Sequence, residues 1–265
     1  MRALKFVVLI LPALVAVAHS VPCAAESVHA SIIDAFAAAR AALPDHPETA
    51  ADIYKRFIEK NSDSPQAGAA RVLRGLILWR NLNDLPAARA ELAAAARLSG
   101  DDIITKESVR LARSWLARMK MLEIARACRT YYVEKVRYPE TLDKLAEAGL
   151  VSKADLLDPW GDRFVYSTRA STLFPDVPHQ RYSLSCKHIK GDVTVTQKLL
   201  DGEQEFVAGI TLLGFTEQRV MVRFKGEEQN TIIEEGGSRG GLTALLVRAN
   251  GAVVSNADYM AVLTR

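Results

Sequence analysis

Cysteine is scarce in this chain: three among 265 residues, Cys23, Cys128 and Cys186. Histidine is nearly as thin, and His19, His29, His46, His179 and His188 are scattered with no pair at metal-ligand spacing. No basic stripe with interleaved aromatics is present, which argues against nucleic acid as a partner. The glycine-rich stretch Gly236 to Gly241 lacks both the lysine of a nucleotide loop and a following helix, so it reads as a loop between strands. Ser238 stands between glycines, but its flanks read strand–loop–strand and not the strand–turn–helix of a nucleophile elbow. Asp101-Asp102 and Glu234-Glu235 read as solvated charges or a cap. Together these absences leave no catalytic, cofactor-binding or metal-binding residue to name, and an enzyme is not expected.

Long apolar runs are also missing, with one exception. Arg2 and Lys5 precede the apolar run Phe6 to Ala18, 13 residues broken only by Pro12. A spanning helix needs about 20 apolar residues, so the run suits a cleavable signal peptide over residues 1–25, with cleavage between Ala25 and Glu26. Two alternatives stay open. Cys23 would be lipid-modified, although Ser20 and Pro22 fit that signal poorly, or the segment would be kept as an anchor. The expected location is therefore exported, in the periplasm or cell envelope, with membrane contact only through an uncleaved N-terminus. Without Arg2 and Lys5 the 34 basic residues become 32 against 31 acidic ones, so the mature chain is nearly neutral. Cys128 and Cys186 remain, either joined in one disulfide or as two buried small hydrophobes.

What is there changes character twice, in an α+β order. Residues 26–103 are rich in Ala, Leu and Arg and read as helices. The first spans 28–42, with Ile32, Ile33, Phe36 and Ala39 on one face. The second spans 47–61, opened by Pro47. The third follows Ser64-Pro65, a cap with proline at the first helical position. The fourth follows Asp84. A long fifth helix spans 103–136, with Trp115 and Met119 on its apolar stripe. Shifting by 38 places Ala50 on Ala88, Tyr54 on Leu92 and Phe57 on Ala95. The stretch from Ala51 to Leu98 resembles tetratricopeptide repeats, whose helix pairs bury their apolar faces by stacking. A plain helical bundle is the alternative. The resemblance implies a peptide or protein partner.

Residues 104–192 carry a specific order: long helix, Tyr138-Pro139, a short leucine helix, the turn Asp158-Pro159-Trp160-Gly161, then a strand with Tyr166. Asp, Pro and Gly take the preferred places of a type I turn. Over about 115–190 this resembles the globular part of type II secretion major pseudopilins. The family's filament-packing helix has no counterpart here. The family's calcium loop is also altered, because Cys186-Lys187-His188 puts a cation where acidic ligands are expected; no calcium site is predicted.

Residues 193–265 read as short strands: 206–213, 220–224, 231–233, 242–248, then a hairpin signalled as type I′ by Asn250-Gly251, and two more. They resemble the small periplasmic β-domain of secretion and pilus inner-membrane components; a generic small barrel or sandwich is the alternative. The resemblances imply an envelope protein of a type II secretion or type IV pilus-like system whose partners are other envelope proteins of that system. A periplasmic tetratricopeptide-type binding module unrelated to secretion is the second possibility.

Overall fold

The computed structural model describes residues 24–173 and 175–264. Residues 1–23, which hold Cys23 and most of the segment 1–25 read from the sequence as a signal peptide, lie outside the described residues. The fold is mixed helix and antiparallel sheet, an α+β arrangement.

Five helices come first: α1 (Ala24–Ala42), α2 (Pro47–Lys60), α3 (Pro65–Arg80), α4 (Leu85–Ala96) and α5 (Ile103–Lys135). The starts of α3, α4 and α5 follow side chains that satisfy orphan backbone N–H groups, while α2 starts on Pro47 without a side-chain cap. Ser64 Oγ accepts from Ala67 N at 3.3 Å, Asp84 Oδ1 from Ala87 N at 3.1 Å, and Asp102 Oδ1 from Thr105 N at 2.8 Å. The three residue pairs related by the 38-residue shift are all buried. Helices α3 and α4 touch closely at Gly75, where an added Cβ would lie 2.9 Å from Leu92 Cγ. Phe36 meets Tyr54 edge-on at 5.1 Å and Phe57 at 5.3 Å, tying α1 to α2.

Helix α5 spans two cores. Its first half packs Leu111, Trp115 and Met119 with α1–α4. Its second half packs Met121, Ile124 and Cys128 against α6 (Asp143–Glu147), a 3₁₀ turn at Lys153–Leu156, and the hairpin β1 (Val165–Arg169) and β2 (Arg181–Ser185).

After Asp192 the chain is helical where strands were expected. Asp192 Oδ1 accepts from Thr194 N at 2.9 Å and starts α7 (Val193–Asp201), and α8 (Glu203–Ala208) follows. Phe206, Val207 and Ala208, read from the sequence as the start of a strand, belong to α8. A short continuous apolar run does not by itself separate helix from strand, and in α8 Phe206 stacks on Tyr259 at 5.6 Å. The strand begins only at Ile210.

Two antiparallel sheets complete the fold. One has the order β3 (Ile210–Phe215), β4 (Arg219–Phe224), β5 (Thr231–Glu234). The other runs β6 (Ser238–Arg239), β7 (Leu242–Arg248), β8 (Gly251–Ser255), β9 (Met260–Thr264). The second sheet is covered on both faces. Leu245, Leu246, Val253, Met260 and Val262 join the core of α1–α5, while Ala244, Val247, Val254 and Ala261 meet Val220, Val222 and Ile233 of the first sheet. The order is helices, four-stranded sheet, three-stranded sheet.

The β7–β8 hairpin is present, but not as a type I′ turn around Asn250-Gly251. Arg248 pairs with Gly251, and neither Asn250 nor Gly251 has a positive φ. Gly251 serves packing instead: a Cβ there would lie 2.7 Å from Ile33 Cγ2 of α1 and 2.9 Å from the Leu263 carbonyl oxygen.

Candidate functional site

The segment after α5 holds the residues singled out by the sequence. Helix α5 stops at Val136, which takes a left-handed φ of 56°. The chain then turns back through Tyr138. That ring packs on Tyr132 at 4.6 Å and on Tyr182 at 4.7 Å, and the Tyr138 N–H donates to His179 O at 2.8 Å. Tyr166 OH donates to the Pro139 carbonyl at 2.8 Å, so Tyr138, Pro139 and Tyr166 close one aromatic corner. Burial pushes the Tyr182 hydroxyl up to about 12 and the Tyr166 hydroxyl higher still.

Asp158 is buried, and both its carboxylate oxygens are occupied. Oδ1 accepts from Trp160 N at 2.9 Å and from Asp162 N at 3.0 Å, and Oδ2 accepts from Cys186 Sγ at 3.2 Å. The Gly161 N–H donates to Asp158 O at 3.0 Å, closing the turn around Pro159, and Gly161 has φ +91°. This last value suits only glycine without strain.

The loop after β2 folds over this turn. His188 stacks on Trp160 at 4.6 Å, with its Nε2 2.8 Å from Asp162 Oδ2 and 3.9 Å from Asp158 Oδ2. Lys187 Nζ reaches the same Asp162 oxygen at 2.8 Å. Hydrogen bonds from Lys187 and then His188 hold the Asp162 carboxyl below the usual range. Three ligand atoms, from Asp158, Asp162 and His188, lie within 4.8 Å of one another. The spacing of histidines in the sequence did not reveal this set, because the loop after β2 brings it together in space. Asp158 is already bound by two backbone N–H groups and a thiol, and Asp162 by the Lys187 ammonium, so both carboxylates have partners within the protein.

Cys128 and Cys186 are both free and buried, so the disulfide alternative does not occur here. Burial raises Cys128 to about 12 and Cys186 to about 11, which leaves both as unreactive thiols. Ser238 Oγ bonds Thr243 Oγ1 at 2.7 Å across β6–β7, while His188 bonds Asp162; no hydrogen bond joins the serine to the histidine.

The three-stranded sheet offers a surface of a different kind. Leu212, Val220, Val222 and Ile233 point into the core, and Leu213, Met221 and Ile232 point out and are exposed. Among the described strands β3 pairs only with β4, leaving its other edge open.

Comparison of the chain with protein-family models, with curated proteins and with solved structures finds no match. Among the described residues, no helix is long and apolar enough to cross a membrane.

Sequence reasoning missed Arg118, which lies within the apolar stretch of α5. It is only 1% exposed, lies over the Trp115 ring at 5.6 Å, and pairs with Asp258 at 2.7 Å. Its place four residues before Leu122 and three after Trp115 was the available signal; its partner 140 residues away was not.

Proposed function

We propose that this is a non-enzymatic, exported envelope protein of a type II secretion or type IV pilus-like system that acts through protein–protein contacts. The observation that carries the proposal is the three-stranded sheet. It shields a core on one face and presents Leu213, Met221 and Ile232 on the other, beside an open β3 edge. An open edge pairs with a strand from another chain through main-chain hydrogen bonds, and exposed apolar positions next to it supply specificity.

The pseudopilin-like segment supports the same reading in a negative way. The polar groups of its Asp-Pro-Trp-Gly turn are used in folding, and Lys187 already pairs with Asp162. The segment then serves as a scaffold between the helices and the sheets.

Crosslinked pull-down of the mature protein from native envelopes tests this. Recovery of a secretin, pseudopilin or inner-membrane component of a secretion or pilus system supports it, and recovery of none rejects it. The second reading, a periplasmic binding module unrelated to secretion, draws on the stacked helices α2–α4, where Gly75 lets α3 and α4 approach. A chromosomal neighbourhood without secretin, ATPase or pseudopilin genes would favour it.

A further inference from the structure

A cleft of about 680 Å3 opens between the helical layer and α8, within the range of about 300–1,000 Å3 that ligand pockets occupy. We propose that it binds the C-terminal carboxylate of a peptide segment that ends in an apolar residue. This rests on the cleft alone and not on membership of a secretion assembly.

Two guanidinium groups line it, Arg40 from the last turn of α1 and Arg80 from the last turn of α3. A cation in a last turn complements the helix dipole, which accounts for one arginine at each helix end. It does not account for both facing one cavity. Arg40 is exposed and gives Nη1 to the Val262 carbonyl; among the described residues it has no carboxylate partner. Arg80 pairs with Glu203 at 2.6 Å and uses Nε on Asn81 at 3.1 Å. Neither arginine gives its Nη2 to any described acceptor; Arg40 also keeps its Nε, so it can offer a carboxylate the Nε/Nη2 fork, while Arg80 offers its Nη2 alone.

The rest of the lining fits a peptide better than a bare anion. Asn81 at the end of α3 and Gln204 in α8 both line the cleft, and each side-chain amide carries both a donor and an acceptor, as a peptide backbone requires. Leu43, Pro44, Val207 and Ala208 supply apolar surface for the terminal side chain. A smaller cavity continues from the cleft past Arg40, Leu43 and Glu203 toward Tyr54 and Ile77. The sites for charge, backbone and side chain are thus adjacent. Glu203 competes internally for Arg80, which makes the cleft's preference testable in both directions.

The test uses purified full-length protein and fluorescence polarisation. The probe is a pool of fluorescein-labelled pentapeptides with random first positions and leucine, isoleucine or phenylalanine last, made with a free carboxylate or as the amide. The free-carboxylate pool is expected to bind, and the amide pool to bind at least about tenfold more weakly, the loss expected for one charge-assisted contact. Arg40→Gln should weaken the free-carboxylate pool by a similar factor. Glu203→Gln should tighten it, by releasing Arg80. Ala208→Asp, at an exposed position of the cleft lining away from Arg40, should abolish binding and gives a second test should the Arg40 variant misfold; circular dichroism melts report folding for each. Equal binding of the two pools, no binding at about 1 mM, or unchanged affinity in a folded Arg40→Gln variant overturns the proposal. So does N-acetyl-leucine binding as tightly as the pentapeptides, since the ligand would then be a small carboxylate and not a peptide.

Discussion

Asp158 shows most plainly how one side chain is committed to structure. Its carboxylate accepts from two backbone N–H groups and from the Cys186 thiol while buried. Removing it leaves those donors unsatisfied. Hydrogen bonds to a charged group contribute about 1.5–3 kcal/mol each, and orphaned buried groups cost a similar amount. Asp158→Ala should therefore lower stability by about 3 kcal/mol, with Asp158→Asn intermediate, as read from urea midpoints. A change under 1 kcal/mol would mean that the turn holds without its carboxylate. The thiols give a second residue-scale prediction. Cys128 and Cys186 are free, buried and shifted upward in pKa, so neither should react with a thiol reagent in the native protein, and both should react in urea. Unreactive cysteines in urea without reductant would point to a disulfide. The turn at Asp158 was legible because Asp, Pro and Gly have intrinsic reasons to sit there. The bond to Cys186 and the approach of His188 were not, because they depend on how β2 and its following loop return over the turn.

At the scale of elements, the helices from Pro47 to Lys135 were legible nearly to the residue. Each combines a cap or a proline at its start with a 3.6-residue apolar stripe, and these two independent signals agree. The segment 206–213 reads as one strand, but its apolar run is short and carries no cap signal, and its first three residues are helical, with Phe206 stacked on Tyr259. Gly251 was noticed for the wrong reason. Asn-Gly is a turn signal, yet this glycine lies in β8 because α1 and the Leu263 carbonyl leave no room for a Cβ. Gly251→Ala should cost about 1–3 kcal/mol through overpacking, and a smaller substitution at Ile33 (Ile33→Ala) in the same chain should recover part of that loss. Purely additive effects in a double-mutant cycle would contradict the contact.

At the scale of the molecule, α5 connects everything. Its first half lies in the helical core and its second half in the core of the β1–β2 hairpin, while the β8–β9 turn docks along it. Trp115 Nε1 donates to the Asp258 carbonyl at 2.9 Å, Arg110 reaches the carbonyls of Asn256 and Ala257 at 2.6 and 2.7 Å, and Arg118 pairs with the Asp258 carboxylate. Asp258→Ala strands a buried guanidinium, and breaking such a pair costs about 3–5 kcal/mol. The variant should unfold in one earlier transition by both near-ultraviolet and far-ultraviolet circular dichroism. Separate transitions for helices and sheet would show that the two layers are not one cooperative unit. This cross-layer packing was illegible in the sequence, since nothing near Asp258 marks it as the partner of an arginine in α5.

The outer face of β3–β5 is the proposed binding site for a protein of the cell envelope. Site-specific photocrosslinking in the native cells measures this most directly, with the photoreactive residue placed at Leu213, Met221 or Ile232, and at Val133 on α5 as an exposed position far along the chain. One shared adduct is expected from the three sheet positions, containing a secretion or pilus envelope component, and none of it from Val133. No adduct from the sheet positions, or the same adduct from Val133, would contradict it.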